Sequence, residues 1–249
     1  MKRRRFTPLV LGHRGYRARF PENTLLAFRE ALRAGADGIE CDLQKSADGR
    51  YVVIHDPTTE RVTGVSRDVV SSRFEELREL DFGQGEGLPL LEETLKALPP
   101  SAYLDLELKE ETITAADAVA IAPILDAHRS RDHLMISSFA SNLLVPLRRM
   151  GFTVGLLVGE DVAARGLSGF AKVLFRLRPQ FVNLPVDTFR VLGRNKAEIL
   201  CRFLKAFGFS LLFWTVNTAE EVAVLAPFAR ILVSDEVEQI VGALKALHE

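Results

Sequence analysis

The sequence predicts an α/β fold of the (β/α)8 TIM-barrel class, with a hairpin after the second strand and a small insertion over the C-terminal face. Three observations predict it. Short apolar runs alternate with longer helix-patterned segments, which argues for parallel strands joined by crossover helices. The chain has 249 residues, a length at which such barrels form one domain. No long low-complexity linker interrupts the alternation, so residues 1–249 are expected to be one barrel domain, with a loop insertion at about 57–90.

Strands are expected at Pro8–Gly12, Gly38–Leu43, Tyr51–His55, Ala102–Leu108, Leu134–Ser137, Thr153–Val158, Phe181–Leu184, Leu211–Val216 and Ile231–Val233, with helices between most of them. The clearest helix is Asn23–Arg33, where Leu25, Leu26, Phe28, Ala31 and Leu32 form a stripe that Gly35 ends. Nine runs exceed the eight a barrel needs. No helix fits between Leu43 and Tyr51, and Asp48-Gly49 is a strong hairpin signal. Tyr51–His55 is therefore expected to fold back antiparallel on the second strand, with His55 roughly opposite Asp42. Between Asp56 and Leu90 the pattern weakens, with Gly64, Gly83, Gly85, Gly87 and Pro89 and one short helical segment near Phe74–Leu80. That stretch reads as a loop over the barrel mouth, the kind that sets specificity.

Composition excludes several classes. Lysine and arginine total 32 against 33 acidic residues, for a net charge of −1, which argues against nucleic-acid binding. The one basic cluster in the sequence, Lys2–Arg5, reads as a solvated tail. The two cysteines, Cys41 and Cys201, form no Cys-x-x-Cys signature and are expected to be reduced and buried. No signal-peptide core precedes His13, and no run is long and apolar enough to span a membrane. The default expectation is therefore the cytoplasm.

Chemistry concentrates at strand ends. A strand alternates faces, so Glu40 and Asp42 share one face, while Ile39, Cys41 and Leu43 share the other. Likewise Asp105, Glu107 and Lys109 oppose Leu104, Leu106 and Leu108. The apolar faces must pack against helices, so the charged faces point into the barrel mouth. Converging buried carboxylates need compensation, and Glu40, Asp42 and Glu107 together suit a hard cation such as Mg²⁺ or Ca²⁺. Asp105, deeper in its strand, is expected instead in a salt bridge with Lys109 or an arginine. His13-Arg14-Gly15 follows the first strand and falls at the C-terminal face. Histidine suits proton transfer near neutrality, and arginine suits phosphate contact. His55 ends the hairpin strand near Asp42. His128, His133 and His248 read as surface residues. In Pro21-Glu22-Asn23-Thr24 a helix cap and a brace reaching the metal shell are equally expected. Trp214, near a late strand end, reads as a pocket wall in preference to core.

Taken together, His13-Arg14-Gly15, Pro21-Glu22-Asn23-Thr24, Glu40-x-Asp42, Asp48-Gly49, His55-Asp56, Glu107-x-Lys109 and Trp214-Thr215-Val216-Asn217 resemble, in order and spacing, the glycerophosphodiester phosphodiesterase family. The resemblance runs from about residue 10 to about 235. It implies a metal-dependent phosphoric diester hydrolase of lipid and glycerol metabolism, acting on a small-molecule glycerophosphodiester. The products would be sn-glycerol 3-phosphate and an alcohol such as choline or ethanolamine. It further implies that Glu40, Asp42 and Glu107 hold one divalent cation, that His13 and His55 are acid and base, and that Arg14 and Lys109 contact phosphate. Trp214 would pack against glycerol carbons. One departure stands at Ser234-Asp235-Glu236-Val237, where such proteins often carry Thr-Asp-x-Pro. Two other readings remain: a lysophospholipase D-type enzyme, using Phe74, Phe82 and leucines of the insertion as an acyl groove, and a catalytically silent barrel that binds a phosphorylated ligand. A sugar-phosphate isomerase or aldolase is a weaker third, resting on Lys109.

Overall fold

The structure, a computed structural model, describes residues 7–159 and 166–247. The expectations for the Lys2–Arg5 tail and for His248 lie outside those residues. Eight parallel strands close into a barrel: β1 (Leu9–His13), β2 (Gly38–Lys45), β4 (Tyr103–Leu108), β5 (Leu134–Ser138), β6 (Val154–Leu157), β7 (Phe181–Pro185), β8 (Ser210–Trp214) and β9 (Ile231–Ser234). A ninth strand, β3 (Tyr51–Val53), pairs antiparallel with β2 only. Pairing of β1 with both β2 and β9 closes the ring. The observed strands match the expected runs to within one or two residues at each end.

The helices are α1 (Leu25–Arg33), α2 (Glu60–Thr63), α3 (Phe74–Arg78), α4 (Leu91–Ala97), α5 (Ala115–His128), α6 (Ser141–Arg149), α7 (Gly166–Leu177), α8 (Asp187–Leu192), α9 (Arg194–Ala206), α10 (Ala219–Leu225) and α11 (Val237–Ala246). Helix α1 shows why the local sequence folds this way. The Thr24 hydroxyl accepts from the Ala27 amide at 3.2 Å and satisfies a free helix N–H. Ala27, Phe28 and Ala31 form its buried face. Gly35, at φ +95°, lets the chain turn away where a β-carbon would be strained.

Strand alternation divides the apolar residues into two layers. Ile39, Cys41 and Leu43 of β2, and Leu104, Leu106 and Leu108 of β4, point outward and are buried against helices. Inside the barrel, Leu11, Met135, Leu212 and Ile231 plug the floor below the charged residues. A fully buried leucine contributes roughly 1.5–3 kcal/mol, so truncating Leu106 to alanine would cost about 2–5 kcal/mol. Both cysteines are buried and unbridged.

The hairpin turns where expected, with Gly49 at φ +77°. Its register differs by one position. Leu43 pairs with Val53, and the Ile54 amide donates to the Asp42 carbonyl at 3.0 Å, so Ile54 rather than His55 stands opposite Asp42. His55 lies one residue further on, where the chain leaves the ladder and is free to aim its ring at the mouth. The insertion holds α2 as well as the expected α3. Its Val69, Phe74, Leu77, Phe82, Leu88 and Leu90 form a small core together with Val52 and Ile54 of the hairpin. Phe74 and Phe82 are therefore interior and are not free to line the acyl groove that the lysophospholipase D-type reading would need.

Candidate active site

The parallel register of β2 and β4 sets Glu40 beside Asp105 and Asp42 beside Glu107, all facing inward. His13 is the register partner of Glu40 on β1. Among the described residues, ligand atoms of Glu40, Asp42 and Glu107 lie within 4.8 Å of one another. Their environment is poor for bare charge. Burial, then the neighbouring Asp42, Glu107 and Asp105, pushes Glu40 well above the usual carboxylate range. Burial lifts Glu107 to about 7 despite the Lys109 ammonium. Asp42 pays the same burial penalty, yet the Lys109 and Arg14 cations hold it below its ordinary value. A compact set of hard carboxylate oxygens under mutual repulsion is chemically suited to a divalent cation. The donor set thus fits the ion that the sequence implied.

Asp105 departs from its expected salt bridge. Its Oδ1 accepts from the Ser137 hydroxyl at 2.7 Å, and burial raises it to about 8, well above the ordinary carboxylate range. Lys109 turns instead to the other two acids, with Nζ 2.8 Å from Asp42 Oδ1 and 2.5 Å from Glu107 Oε1. The reason is position: Asp105 lies two residues deeper in β4, beyond the reach of a lysine that follows the strand end.

Each mouth histidine is set by a carboxylate. His13 Nδ1 donates to Asp235 Oδ1 at 2.7 Å. Asp235 is held at about 2, despite burial, by that bond and by Asn217, so it is a pure acceptor. Asn217 Nδ2 donates to Asp235 Oδ2 at 3.0 Å, and Asn217 Oδ1 accepts from the Asp235 amide at 2.9 Å. His55 Nδ1 donates to Asp56 Oδ1 at 2.6 Å. Burial pulls the His55 ring below the ordinary histidine value, assisted by the Lys109 and Arg14 cations and opposed by Asp42. In both rings the bond at Nδ1 leaves Nε2 as the reactive nitrogen. His13 Nε2 lies 4.0 Å from Glu40 Oε2.

The His-Arg-Gly turn is tightly determined. Arg14 has φ +53° and Gly15 φ +84°, and a β-carbon on Gly15 would meet the Ala27 backbone at 2.6 Å. The Arg14 amide donates to Glu40 Oε2 at 3.1 Å, while its guanidinium lies 2.9 Å from Glu22 and 3.4 Å from Asp42. Glu22 also binds Arg17 and Arg61, and Arg61 binds Asp56. Within Pro21–Thr24 the capping and the bracing contacts fall on different residues. Thr24 caps α1, and Asn23 Nδ2 donates to Asp42 Oδ2 at 2.8 Å.

A cavity of about 200 Å³ brings together His13, Arg14, Glu40, His55, Glu107, Lys109 and Trp214. Its apolar wall is Trp214, Phe139, Leu157 and Leu212, with Phe139 edge-on to Trp214 at 5.9 Å. A second cavity of about 240 Å³ shares His55, Glu107, Lys109 and Phe139 and opens onto Glu110 and Glu111. Asp42, 1% exposed, lines neither cavity but keeps a carboxylate oxygen within 4.8 Å of those of Glu40 and Glu107. Sequence reasoning gave no role to Asp235 or Asp56, though both stand in motifs it quoted, and passed over Arg61 and Phe139. Asp56 adjoins His55, and Asp235 stands in the final strand motif, but no spacing rule links Asp235 to His13 across 222 residues. His128 donates from Nδ1 to the Ile124 carbonyl at the end of α5, and His133 is exposed, both remote from the mouth.

Residues 13–231 match the model of the glycerophosphoryl diester phosphodiesterase family. A glycerophosphodiester phosphodiesterase of Caldanaerobacter subterraneus subsp. tengcongensis is 28% identical over 225 residues, covering 86% of this chain and 88% of that protein. The structure superposes on a glycerophosphodiester phosphodiesterase from Thermotoga maritima with a TM-score of 0.81 at 30% identity, covering 94% of this chain and 97% of the other. It also superposes on a phosphodiesterase from Oleispira antarctica, solved with the product sn-glycerol-3-phosphate. There the TM-score is 0.83 at 26% identity, covering 96% of this chain and 98% of the other. The mouth of this barrel, with the match across 13–231, makes the chain a member of the glycerophosphoryl diester phosphodiesterase family, enzymes that hydrolyse glycerophosphodiesters.

Proposed function

We propose that this enzyme uses one divalent cation, Mg²⁺ or Ca²⁺, held by Glu40, Asp42 and Glu107, and that His13 and His55 are its acid–base pair. The products are sn-glycerol 3-phosphate and an alcohol. The observation that carries this reading is the convergence, in one cavity, of two histidines with carboxylate-bound Nδ1 atoms and the acidic trio. When bound, the ion supplies positive charge against the non-bridging phosphate oxygens. Arg14 and Lys109 add fixed positive charge at the same place. One histidine takes the proton of the attacking oxygen as that oxygen bonds to phosphorus; a water would give glycerol 3-phosphate directly, whereas a substrate hydroxyl would give a cyclic phosphate that a water then opens. The phosphorus–oxygen bond to the leaving alcohol breaks, and the other histidine protonates that oxygen.

Trp214, Phe139, Leu157 and Leu212 suit the carbons of glycerol. The adjoining cavity gives room for the alcohol, and the exposed Glu110 and Glu111 on its rim favour one that carries positive charge, such as choline or ethanolamine. Burial of Phe74 and Phe82 speaks against the lysophospholipase D-type reading. The oriented histidine pair speaks against a silent binding barrel, which has no need of an acid and a base.

The test is release of glycerol 3-phosphate from glycerophosphocholine and glycerophosphoethanolamine, with Mg²⁺, Ca²⁺ or chelator. Release that depends on metal and is lost in His13→Ala and Glu40→Ala supports the proposal. Release unchanged by chelator and by both substitutions would overturn it.

A further inference from the structure

Helix α9 carries two apolar stripes. Ala197, Cys201 and Leu204 form the buried one. Ile199, Phe203 and Phe207, spaced four residues apart along α9 and its C-terminal extension, form another that faces solvent at 66%, 54% and 55% exposure. Residues at that spacing lie above one another on a helix. Phe203 and Phe207 rings lie 4.5 Å apart, and Phe175 of α7, 57% exposed, meets Phe207 edge-on at 6.2 Å. Exposed aromatics gathered in this way are more than scattered surface residues.

Charge is segregated onto the same surface. Residues 166–178 and 194–209 hold seven lysines and arginines, all exposed, against one acid, Glu198, on a chain whose net charge is −1. Glu198 is itself paired with Arg194 and Arg202. On the helical repeat Lys196 falls within the aromatic stripe and Arg202 flanks it, while Lys172 and Arg176 flank Phe175. Self-association of this face would bring like charges together. Aromatic rings set among lysines and arginines instead suit the headgroup region of an anionic bilayer, where the rings enter the interface and the cations meet lipid phosphates.

We propose that the α7–α9 face is a peripheral docking surface for membranes bearing anionic lipids. The chain passes from Phe207 into the N-terminal end of β8 at Ser210, whereas the active site opens at the C-terminal strand ends. Docking through the aromatics would therefore hold the enzyme at a bilayer with its mouth still open to water, as a deacylated, water-soluble substrate requires.

The experiment is co-sedimentation of the whole chain with vesicles of phosphatidylcholine, with and without phosphatidylglycerol. Binding is expected only to the anionic vesicles, and to weaken with added salt. It should fall about fivefold for each cation removed in Lys172→Ala and Lys196→Ala, and be lost in Phe203→Ser/Phe207→Ser. Release of glycerol 3-phosphate by these variants, away from vesicles, should equal that of the parent, which separates loss of docking from loss of fold. No sedimentation, equal sedimentation with both vesicle types, or a dimer in analytical ultracentrifugation that the Phe203→Ser/Phe207→Ser change dissolves would each overturn the proposal.

Discussion

His13 on the first barrel strand and Asp235 just after the last are joined by a 2.7 Å hydrogen bond between Nδ1 and Oδ1, spanning almost the whole chain. Barrel closure makes this contact, because β1 and β9 are adjacent only once the ring is complete. Asp235 is in turn held by Asn217 beyond β8, so three strand ends together aim one imidazole. If that is the role of Asp235, Asp235→Asn should lower kcat by roughly ten- to a hundredfold while leaving KM within about twofold, whereas His13→Ala should cost about 10²–10⁴-fold. A pH–rate profile on the Asp235→Asn enzyme checks it. An unmoved profile together with unchanged kcat would show the aspartate to be structural only.

The acidic trio predicts a stability response to metal. A cation that binds the folded state alone raises stability with its concentration. Millimolar Mg²⁺ or Ca²⁺ should therefore raise the melting temperature of the parent protein, and chelator should reverse the rise. Glu40→Gln keeps the shape and removes a charge, so its melting temperature in chelator should equal or exceed that of the parent, with little response to metal. A parent protein whose melting is insensitive to every divalent ion would argue against the site.

Head-group preference should follow the rim of the second cavity. Glu111 is exposed on that rim. Glu111→Lys should lower kcat/KM for glycerophosphocholine by several-fold, about what one unscreened surface charge supplies. It should leave glycerophosphoglycerol, whose alcohol is uncharged, nearly unaffected. Equal effects on both substrates would remove the rim from specificity.

Glu22 links Arg14, Arg17 and Arg61, and the hydrogen bonds and charges of Arg61 and Arg14 overcome burial to hold it at about 2, against an ordinary value of 4.5. A depressed folded value stabilises the protein above the unfolded value, and that contribution is lost as pH falls from about 4.5 towards 2. The full effect is at most about 3 kcal/mol. Urea unfolding of the parent should weaken across that window. Glu22→Gln should be less stable at pH 7 and show a flatter acid dependence. A parallel pH dependence in the two proteins would contradict the linkage.

The sequence by itself determined the barrel and most of its mouth. Alternation of apolar and charged residues in Gly38–Leu43 and Ala102–Leu108 admits one inward face. The order of runs admits one parallel arrangement, and Asp48-Gly49 explains the ninth strand. Glu40, Asp42, Glu107, His13 and His55 could be read because strand period and strand ends are local properties. Tertiary structure decided what local rules cannot reach. A hairpin register one residue removed put Ile54, not His55, opposite Asp42. Depth in β4 gave Asp105 to Ser137 rather than to Lys109. The insertion turned Phe74 and Phe82 inward, since six of its apolar residues could be buried together with Val52 and Ile54 of the hairpin. Only closure of the barrel, with its loss of chain entropy offset by the packed layers around it, joined Asp235 to His13. Periodicity shows which face a side chain occupies; which partner it meets there depends on distances that arise when the strands come together.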